Sequence, residues 1–233
     1  MKRRIFLLII IAVITMTKGF SSLPDVEETR NLKGFSKVSF GVAGELYINI
    51  GPEFKVVLEG DKSLLDDIIT EVSGDKLTIK KDNWNMNINN SLKVYITMPE
   101  LESLGVSGSG KAEIRDAIKA SDIYFNVSGS GKIYAGNIEA GKLDCGISGS
   151  GDIIINKSGS IDEANIGISG SGSYSGESLE IKTADIQISG SGNCTCNVKE
   201  SLVAHVSGSG NVSYYGNPRI DARVSGSGKV RSR

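Results

Sequence analysis

Over most of the chain, apolar and polar residues alternate with a period of two. In residues 123–127, Ile, Phe and Val occupy every second position, and Tyr124 and Asn126 stand between them. A period of two places successive side chains on opposite faces of a β-strand, whereas a helix repeats every ~3.6 residues. The N-terminal part shows the same alternation in shorter segments, at residues 37–40, 45–50, 55–59, 76–80 and 92–97. The pattern therefore predicts an all-β protein.

One stretch of the N-terminal part departs from this period. Asp61 is a candidate N-cap, and Leu64, Leu65, Ile68 and Ile69 follow it at helical spacing. An N-cap residue followed by one apolar face is the usual signature of an amphipathic helix. We therefore predict one short helix within the β-rich N-terminal part.

An exposed loop is predicted directly before the last N-terminal strand. Residues 82–91 contain five asparagines and Trp84, the only tryptophan of the chain. An exposed tryptophan can form a platform for a sugar, and it can equally pack back onto the sheet. Trp84 is therefore a candidate ligand residue with a structural alternative.

The C-terminal part is organised around a repeated phrase, Val or Ile followed by Ser-Gly-Ser-Gly. The phrase occurs seven times between residues 106 and 228, and its first glycines are spaced by 18 to 21 residues. A fixed period of this length marks a solenoid. Apolar residues occupy alternate positions before and after the phrase. Each coil is therefore predicted to consist of a strand, a tight turn and a second strand.

The glycines of the phrase are predicted to form the turns, because glycine adopts positive φ without a Cβ clash. A glycine-rich loop can also bind phosphate, but that function requires a following helix, and β-alternation follows every copy here. Stacking would align the serines in a column, whose hydroxyl groups we expect to serve the structure. The predicted turn glycines are Gly108, Gly110, Gly129, Gly131, Gly149, Gly151, Gly170, Gly172, Gly190, Gly192, Gly208, Gly210, Gly226 and Gly228.

The beginning of the chain has the pattern of a secretory signal peptide. Basic residues 2–4 precede an apolar run from Ile5 to Ile14, which is short for a membrane span. We predict a signal peptide over residues 1–22, a β-rich part with one helix over 23–100, and the seven-copy solenoid over 101–233. The protein is then exported to the periplasm, the outer-membrane surface or the extracellular space. We expect no transmembrane anchor in the mature chain.

The charge and the cysteine content limit which partners, disulfides and metal sites the chain could have. A net charge of −1 with scattered signs provides no basic surface for nucleic acid, which we therefore exclude as a partner. Cys145, Cys194 and Cys196 fall on the apolar side of the alternation, where a free cysteine behaves as a small hydrophobe. A disulfide between neighbouring coils is the alternative. No further ligands follow at metal-binding spacing, so we predict neither a metal nor a cofactor.

These segments together resemble the bacterial family of auto-transporter adhesin head GIN domains. The resemblance rests on Lys55–Asp61, Gly74–Ile79, Leu92–Leu101 and the Ser-Gly-Ser-Gly repeats. It implies a right-handed parallel β-helix, similar in shape to pectin lyases, with Gly-Ser-Gly as the tight turn between sheets. It also implies a role in adhesion, which rests on analogy of shape.

Candidate ligand residues lie on the outward side of the alternation. Asp144, Asn165, Asp185 and Asp221 share one outward column, which Val203 interrupts and which contains neither Arg nor Lys. Asp144 and Asp185 are two coils apart, ~9.6 Å at the usual strand spacing. Paired carboxylates are typical of glycosidases, but such a column is also typical of a solvated face. His205 has no matched acid for a catalytic triad. The candidate ligand surface comprises Trp84, Tyr124, Tyr134, Asp144, Asp185 and His205.

We therefore predict an exported, non-enzymatic β-helical protein that binds a glycan, or a host or cell-surface protein, through its outward faces. Repeated flat faces suit weak contacts with a long ligand, where avidity replaces a deep pocket. A structural envelope protein is one alternative, with a homo-oligomer formed through the open end at residues 229–233. A carbohydrate-active enzyme that uses Asp144 and Asp185 is the other.

Overall fold

The computed structural model describes residues 26–82 and 92–233, so the predicted signal peptide and Trp84 lie outside the described residues. No helix in this part of the chain is long and apolar enough to cross a membrane. The described elements are β1 (Val26–Arg30), β2 (Lys37–Gly41), β3 (Glu45–Ile50), β4 (Lys55–Gly60), α1 (Lys62–Asp66), β5 (Ile68–Ser73), β6 (Lys76–Lys81), β7 (Lys93–Met98), β8 (Ser103–Gly108), β9 (Lys111–Ile114), β10 (Ile118–Gly129), β11 (Lys132–Ala135), β12 (Ile138–Gly149), β13 (Asp152–Ile155), β14 (Gly159–Gly170), β15 (Ser173–Gly190), β16 (Asn193–Gly208), β17 (Asn211–Tyr215), β18 (Arg219–Gly226) and β19 (Lys229–Ser232).

The strands stack in parallel as a β-solenoid, which confirms the predicted fold class. One set of strands, here the first layer, leads into the turns: β6, β2, β8, β10, β12, β14, the second halves of β15 and β16, and β18. The second layer leaves the turns: β7, β3, β9, β11, β13, the first halves of β15 and β16, β17 and β19. Equivalent residues align from coil to coil, so that Val127 lies between Val106 and Ile147. The apolar rows of both layers meet in one core.

The N-terminal coils do not stack in chain order. β2 lies between β6 and β8, and β3 lies between β7 and β9, so the first coil of the chain is inside the stack. β5 pairs antiparallel with β6, β4 with β7, and β1 with β4. These three antiparallel strands and α1 form the N-terminal cap of the solenoid. One buried cluster extends from Phe35 to Val212, so the core is continuous between the N-terminal part and the repeats.

The helix is shorter than the sequence spacing suggests. It covers Lys62–Asp66, and Ile68 and Ile69, which were expected on its apolar face, belong to β5. β-Branched side chains favour strands, and β5 finds an antiparallel partner in β6 across a turn at Gly74, where φ is +62°. Asp61 occupies the N-cap position without a side-chain hydrogen bond to the helix. Tertiary pairing therefore overrides the helical spacing.

Two different constraints require glycine in the turns. The first glycine of every copy has positive φ, for example +116° at Gly149. The second glycine does not, so a positive φ is confirmed for the first position and wrong for the second. A Cβ at the second position would collide with the preceding coil: at Gly131 it would lie 2.7 Å from the carbonyl oxygen of Gly110 and 2.7 Å from Cγ1 of Val106. Close stacking explains the second glycine.

Backbone hydrogen bonds connect successive turns. The N–H of Ser130 donates to the carbonyl oxygen of Gly108 at 2.8 Å, and the N–H of Ser150 donates to Gly129 at 2.8 Å. The expected ladder of serine hydroxyl groups is not formed among the described residues, because the backbone takes that role. The first serine of each phrase instead presents an exposed side chain; these are Ser107, Ser128, Ser148, Ser169, Ser189, Ser207 and Ser225.

The interior of the coils contains the three cysteines. Cys145, Cys194 and Cys196 are buried and free, in agreement with their predicted core positions. They surround Tyr174, and burial raises the pKa of its phenol well above the ordinary value. A Cβ at Gly176 would lie 2.5 Å from the Tyr174 hydroxyl oxygen, so this glycine makes room for the ring. The cluster fills the core.

The last coil is exposed at the C-terminal end of the stack. Ile220 and Val224 are 43% and 44% exposed. Their counterparts one coil earlier, Leu202 and Val206, are 0% and 3% exposed. The inward row of β18 therefore has a neighbour on one side and no described strand on the other.

Candidate ligand groove

A groove runs along the outward surface of the first layer, across β10, β12, β14, β15, β16 and β18. One section encloses about 680 Å³, and a second section of about 520 Å³ shares residues with it. One side of the groove is a column formed by Tyr124, Asp144, Asn165 and Asp185, which lie on neighbouring strands in this order. The other side is formed by the first serines of the repeated phrase. The stacking register therefore turns short sequence motifs into one continuous surface.

The floor of the groove exists because two adjacent coils carry glycine between these columns. Gly146 and Gly167 lie side by side, with Asn126 before them and Gln187 after them. The amide of Asn126 lies over Gly146, where a Cβ would be 2.7 Å from its Nδ2, and the backbone at Gly167 forms the open part of the floor. A Cβ at Gly167 would have the carbonyl oxygen of Cys145 as its nearest neighbour, at 3.9 Å. The space above Gly167 is therefore empty, and a larger side chain there would fill it.

The Asp144 carboxylate is already engaged by its neighbours. Asn165 Nδ2 donates a hydrogen bond of 2.8 Å to Asp144 Oδ1, and Lys142 Nζ lies 3.3 Å from Oδ2. The hydrogen bond that Lys142 donates to Asp144, together with the negative charge of Asp144, raises the pKa of Lys142. Lys142 was missed in the sequence because it lies two residues before Asp144, in the next outward column. Asp144 is thus a fixed hydrogen-bond acceptor at the edge of the groove.

Asp185 lies two strands from Asp144, and Asn165 lies between them. Gln187 Nε2 is 3.5 Å from Asp185 Oδ1, a long contact. A ligand along this column would meet a carboxylate, an amide and a second carboxylate in succession. The two carboxylates therefore offer repeated polar contacts along the solenoid axis.

The structure brings together four of the six predicted ligand residues. Tyr124 is 44% exposed at one end of the groove, and His205 lines it further along, beside Arg223. Tyr134 lies on β11 in the second layer, away from Tyr124, Asp144, Asp185 and His205. Among the described residues, no three His, Cys, Asp or Glu side chains are arranged to hold a metal ion.

Sequence reasoning missed the elements that give the groove its shape. The serines of the repeated phrase were expected to serve the scaffold, and the glycines between the columns were not singled out. The hydroxyl groups of Ser148, Ser169 and Ser189 line the groove, and none of them is hydrogen bonded to another described residue. The signal was present as two glycines at the same position of consecutive coils, but it required the stacking register to be interpreted.

Comparison with solved structures supports the fold. A putative adhesin from Bacteroides fragilis superimposes with a TM-score of 0.79 at 20% identity, covering 91% of this chain and 98% of that chain. A putative lipid binding protein from Parabacteroides distasonis gives 0.71 at 22% identity, covering 90% and 97%. A putative adhesin from the same organism gives 0.75 at 20% identity, covering 90% and 97%. At these identities the likeness concerns the fold.

A search of curated proteins found no match. The family model described as "Putative auto-transporter adhesin, head GIN domain" matches residues 34–218. This range includes the N-terminal coils and all but the last copy of the repeated phrase, well over half of the 233 residues. The chain therefore belongs to the family of putative auto-transporter adhesin head GIN domains.

Proposed function

We propose that the protein is exported and acts as a non-enzymatic adhesin that binds an extended glycan along the groove of the first layer. The observation that carries this proposal is the exposed column of serine hydroxyl groups on one side of the groove. It faces the column formed by Tyr124, Asp144, Asn165 and Asp185. A glycan presents hydroxyl groups at regular intervals, and a solenoid presents hydrogen-bonding groups at ~4.8 Å intervals. Many weak contacts along one axis give avidity without a deep pocket.

The polar groups of the groove are suited to recognition of neutral sugars. Serine hydroxyl groups both donate and accept, the amides of Asn126 and Gln187 do the same, and Asp144 accepts. Tyr124 adds a flat, partly apolar ring at the end of the groove. Each contact of this kind is weak and reversible. Many such contacts along a long ligand suit adhesion better than tight binding of a single small molecule.

The experiment compares retention of the purified protein on immobilised polysaccharides with the release of new reducing ends. We expect retention without release. Release of chain ends would overturn the non-enzymatic part of the proposal, and its loss in an Asp144→Ala, Asp185→Ala double variant would locate the reaction. Phospholipid vesicles belong in the same panel, because one structural neighbour is described as a lipid binding protein.

Two variants test whether the groove is the binding surface. Gly167→Phe places a ring over the floor, where the nearest atom to a Cβ is 3.9 Å away. Gly105→Phe is the matched control: Gly105 occupies the equivalent position on β8 outside the groove, and its Cβ would lie 4.0 Å from the carbonyl oxygen of Val38. We expect at least about tenfold weaker retention for the first, the effect of losing roughly 1.4 kcal/mol, and no change for the second. Equal retention of both would exclude the groove.

Export is part of the proposal and has its own test. The basic residues and apolar run at the start of the chain support it. Fractionation of expressing cells, followed by mass spectrometry of the N-terminal peptide, should recover a chain cleaved near residue 22 outside the cytoplasm. An uncleaved chain in the cytoplasmic fraction would contradict it.

A further inference from the structure

A second pocket lies on the opposite surface of the solenoid, on the outward side of the second layer. It encloses about 260 Å³ between the ends of β9, β11 and β13. Three of its lining side chains are cationic, Lys111, Arg115 and Lys157, and one is acidic, Glu113. Tyr134, one of the residues of the predicted ligand surface, forms part of this pocket. The groove contributes no residue to it.

Arg115 is held in place by two tyrosines of the neighbouring coils. Its guanidinium carbon lies 4.0 Å from the ring centroid of Tyr47 and 6.0 Å from that of Tyr95, and these two rings stack 5.3 Å apart. Stacking occupies the face of the guanidinium and leaves its in-plane N–H groups for hydrogen bonding. None of those groups donates to another described residue. The fold therefore orients the Arg115 side chain before a ligand arrives, so that binding costs little further conformational entropy.

The neighbouring carboxylate of Asp116 does not neutralise Arg115. Asp116 Oδ2 accepts hydrogen bonds from the side chain of Asn49 at 3.1 Å and from the backbone N–H of Ile50 at 3.0 Å. Those contacts satisfy the carboxylate on the β3 side of the coil. The Arg115 guanidinium therefore remains a cationic group at the β3 edge of the pocket.

Lys157 enters the pocket over a glycine. A Cβ at Gly136 would lie 3.4 Å from Lys157 Cδ and 3.9 Å from its Nζ, which are ordinary contact distances, so the lysine extends along the backbone at Gly136. No described carboxylate pairs with Lys157. Lys111 Nζ is 4.0 Å from Glu113 and 4.9 Å from the centroid of the Tyr134 ring. With three cations against one carboxylate, the pocket has an excess of positive charge in a chain whose net charge is −1.

We propose that this pocket binds the anionic group of an acidic saccharide, such as the carboxylate of a uronic acid or a sulfate ester. A planar guanidinium matches two acceptor oxygens of a carboxylate or sulfate in bidentate geometry. The hydroxyl group of Tyr134 and the amide of Asn156 offer hydrogen bonds to the hydroxyl groups of the sugar. The proposal rests on the sugar-binding function proposed above but uses none of the residues of the groove.

The test measures binding of the purified protein to polygalacturonate, dextran sulfate and neutral dextran at several salt concentrations. We expect binding of the two acidic polymers that weakens as salt rises, and weaker binding of neutral dextran. Arg115→Gln should reduce the affinity for polygalacturonate at least about tenfold, because a charge-assisted bidentate contact is lost. Arg115→Lys should recover only part of it, since an ammonium lacks the planar pair of donors.

Lys182→Gln is the matched control for charge. It removes the same charge from a lysine that pairs with Asp162 on the surface of the first layer, outside both the groove and the pocket. We expect it to change affinity less than about twofold, since an exposed pair contributes little. An equal effect of Lys182→Gln and Arg115→Gln would show diffuse charge attraction and overturn the pocket. Absence of binding to either acidic polymer would also overturn it, as would Arg115-dependent binding to anionic lipid vesicles in preference to both polymers.

Failure of this proposal is distinguishable from failure of the groove. Gly167→Phe should leave polygalacturonate binding at the pocket intact, and Arg115→Gln should leave neutral-glycan retention at the groove intact. A loss of both activities in either variant would point to misfolding, which circular dichroism of the variant detects.

Discussion

The two ends of the solenoid differ in how their outermost strands are covered. At the N-terminal end, β5 and β4 pair antiparallel with β6 and β7 of the outermost coil, β1 pairs with β4, and the inward residues of β6 and β7 are buried. At the C-terminal end, β18 and β19 have one parallel neighbour each, and the inward row of β18 is exposed. A parallel stack leaves unpaired strand edges unless another element covers them. The repeats therefore form the stack of coils, whereas the antiparallel strands and the helix of the N-terminal part cover one end of it.

The largest difference is expected when an inward side chain is truncated in the cap. Leu58 on β4 is 0% exposed. Leu58→Ala should lower the free energy of unfolding by ~2–5 kcal/mol, because it removes apolar contacts and leaves a cavity. Urea unfolding followed by circular dichroism measures this loss. A loss below ~1 kcal/mol would mean that the cap is loosely packed.

The turns differ between the junction with the N-terminal part and the middle of the stack. Gly149 has φ +116°, and a Cβ there would lie 2.5 Å from the carbonyl oxygen of Gly129. Gly108 has φ +79°, and a Cβ there would meet nothing within 4 Å. Gly149→Ala should therefore cost more than ~2 kcal/mol, from strain and collision together, and Gly108→Ala about 1 kcal/mol from strain alone. Equal losses in parallel urea titrations would contradict the role of stacking.

The pH dependence of the unfolding free energy should also differ between the two ends. Glu59 on β4 accepts hydrogen bonds from Lys93 Nζ at 2.7 Å and from the Tyr95 hydroxyl at 2.9 Å, and these partners lower the pKa of Glu59. Because the folded-state pKa lies below the unfolded one, the stabilisation is present above the ordinary carboxyl pKa and is lost as pH falls through the lower value.

Glu59→Gln should therefore reduce stability at pH 7 by about 1 kcal/mol and reduce the additional loss between pH 7 and pH 3. Asp221→Asn is the control at the open end, where Asp221 lies 4.0 Å from Arg223 with both side chains largely exposed. It should change neither quantity. The measurement is the unfolding free energy at each pH, and an unchanged acid loss in Glu59→Gln would refute the assignment.

The smallest effect is expected at the open end itself. Ile220 is 43% exposed, so Ile220→Ala should cost less than ~1 kcal/mol, well below Leu58→Ala. A loss comparable with Leu58→Ala would mean that another molecule covers this end in solution. Sedimentation velocity over a range of concentrations would then show whether that molecule is a second copy of the chain.

The sequence predicted most of the strands but not their neighbours. The alternation located β2, β3, β4, β6 and β7, yet nothing local indicates that β2 stacks between β6 and β8, because that order depends on long-range pairing. The spacing of Leu64 and Ile68 suggested one helix, and the pairing of β5 with β6 divided it. Local propensity is weak where a β-branched segment can join a sheet.

The candidate sites were predictable only in part. Tyr124, Asp144, Asp185 and His205 were located by their outward positions, and the structure places them along one groove. Tyr134 was assigned to the same ligand surface and lies on the other layer. Arg115 was missed, because its significance comes from Tyr47 and Tyr95, which belong to coils that are distant in the chain.

The sequence by itself determined the coil. A period of two, a fixed repeat and paired glycines leave the chain one way to bury its apolar rows, since a single coil cannot cover them alone. The tertiary structure decided which coils are neighbours, how the N-terminal end is closed, and which side chains meet on each outward face. Those features depend on register between strands, and register is set by packing and hydrogen bonding across the whole stack.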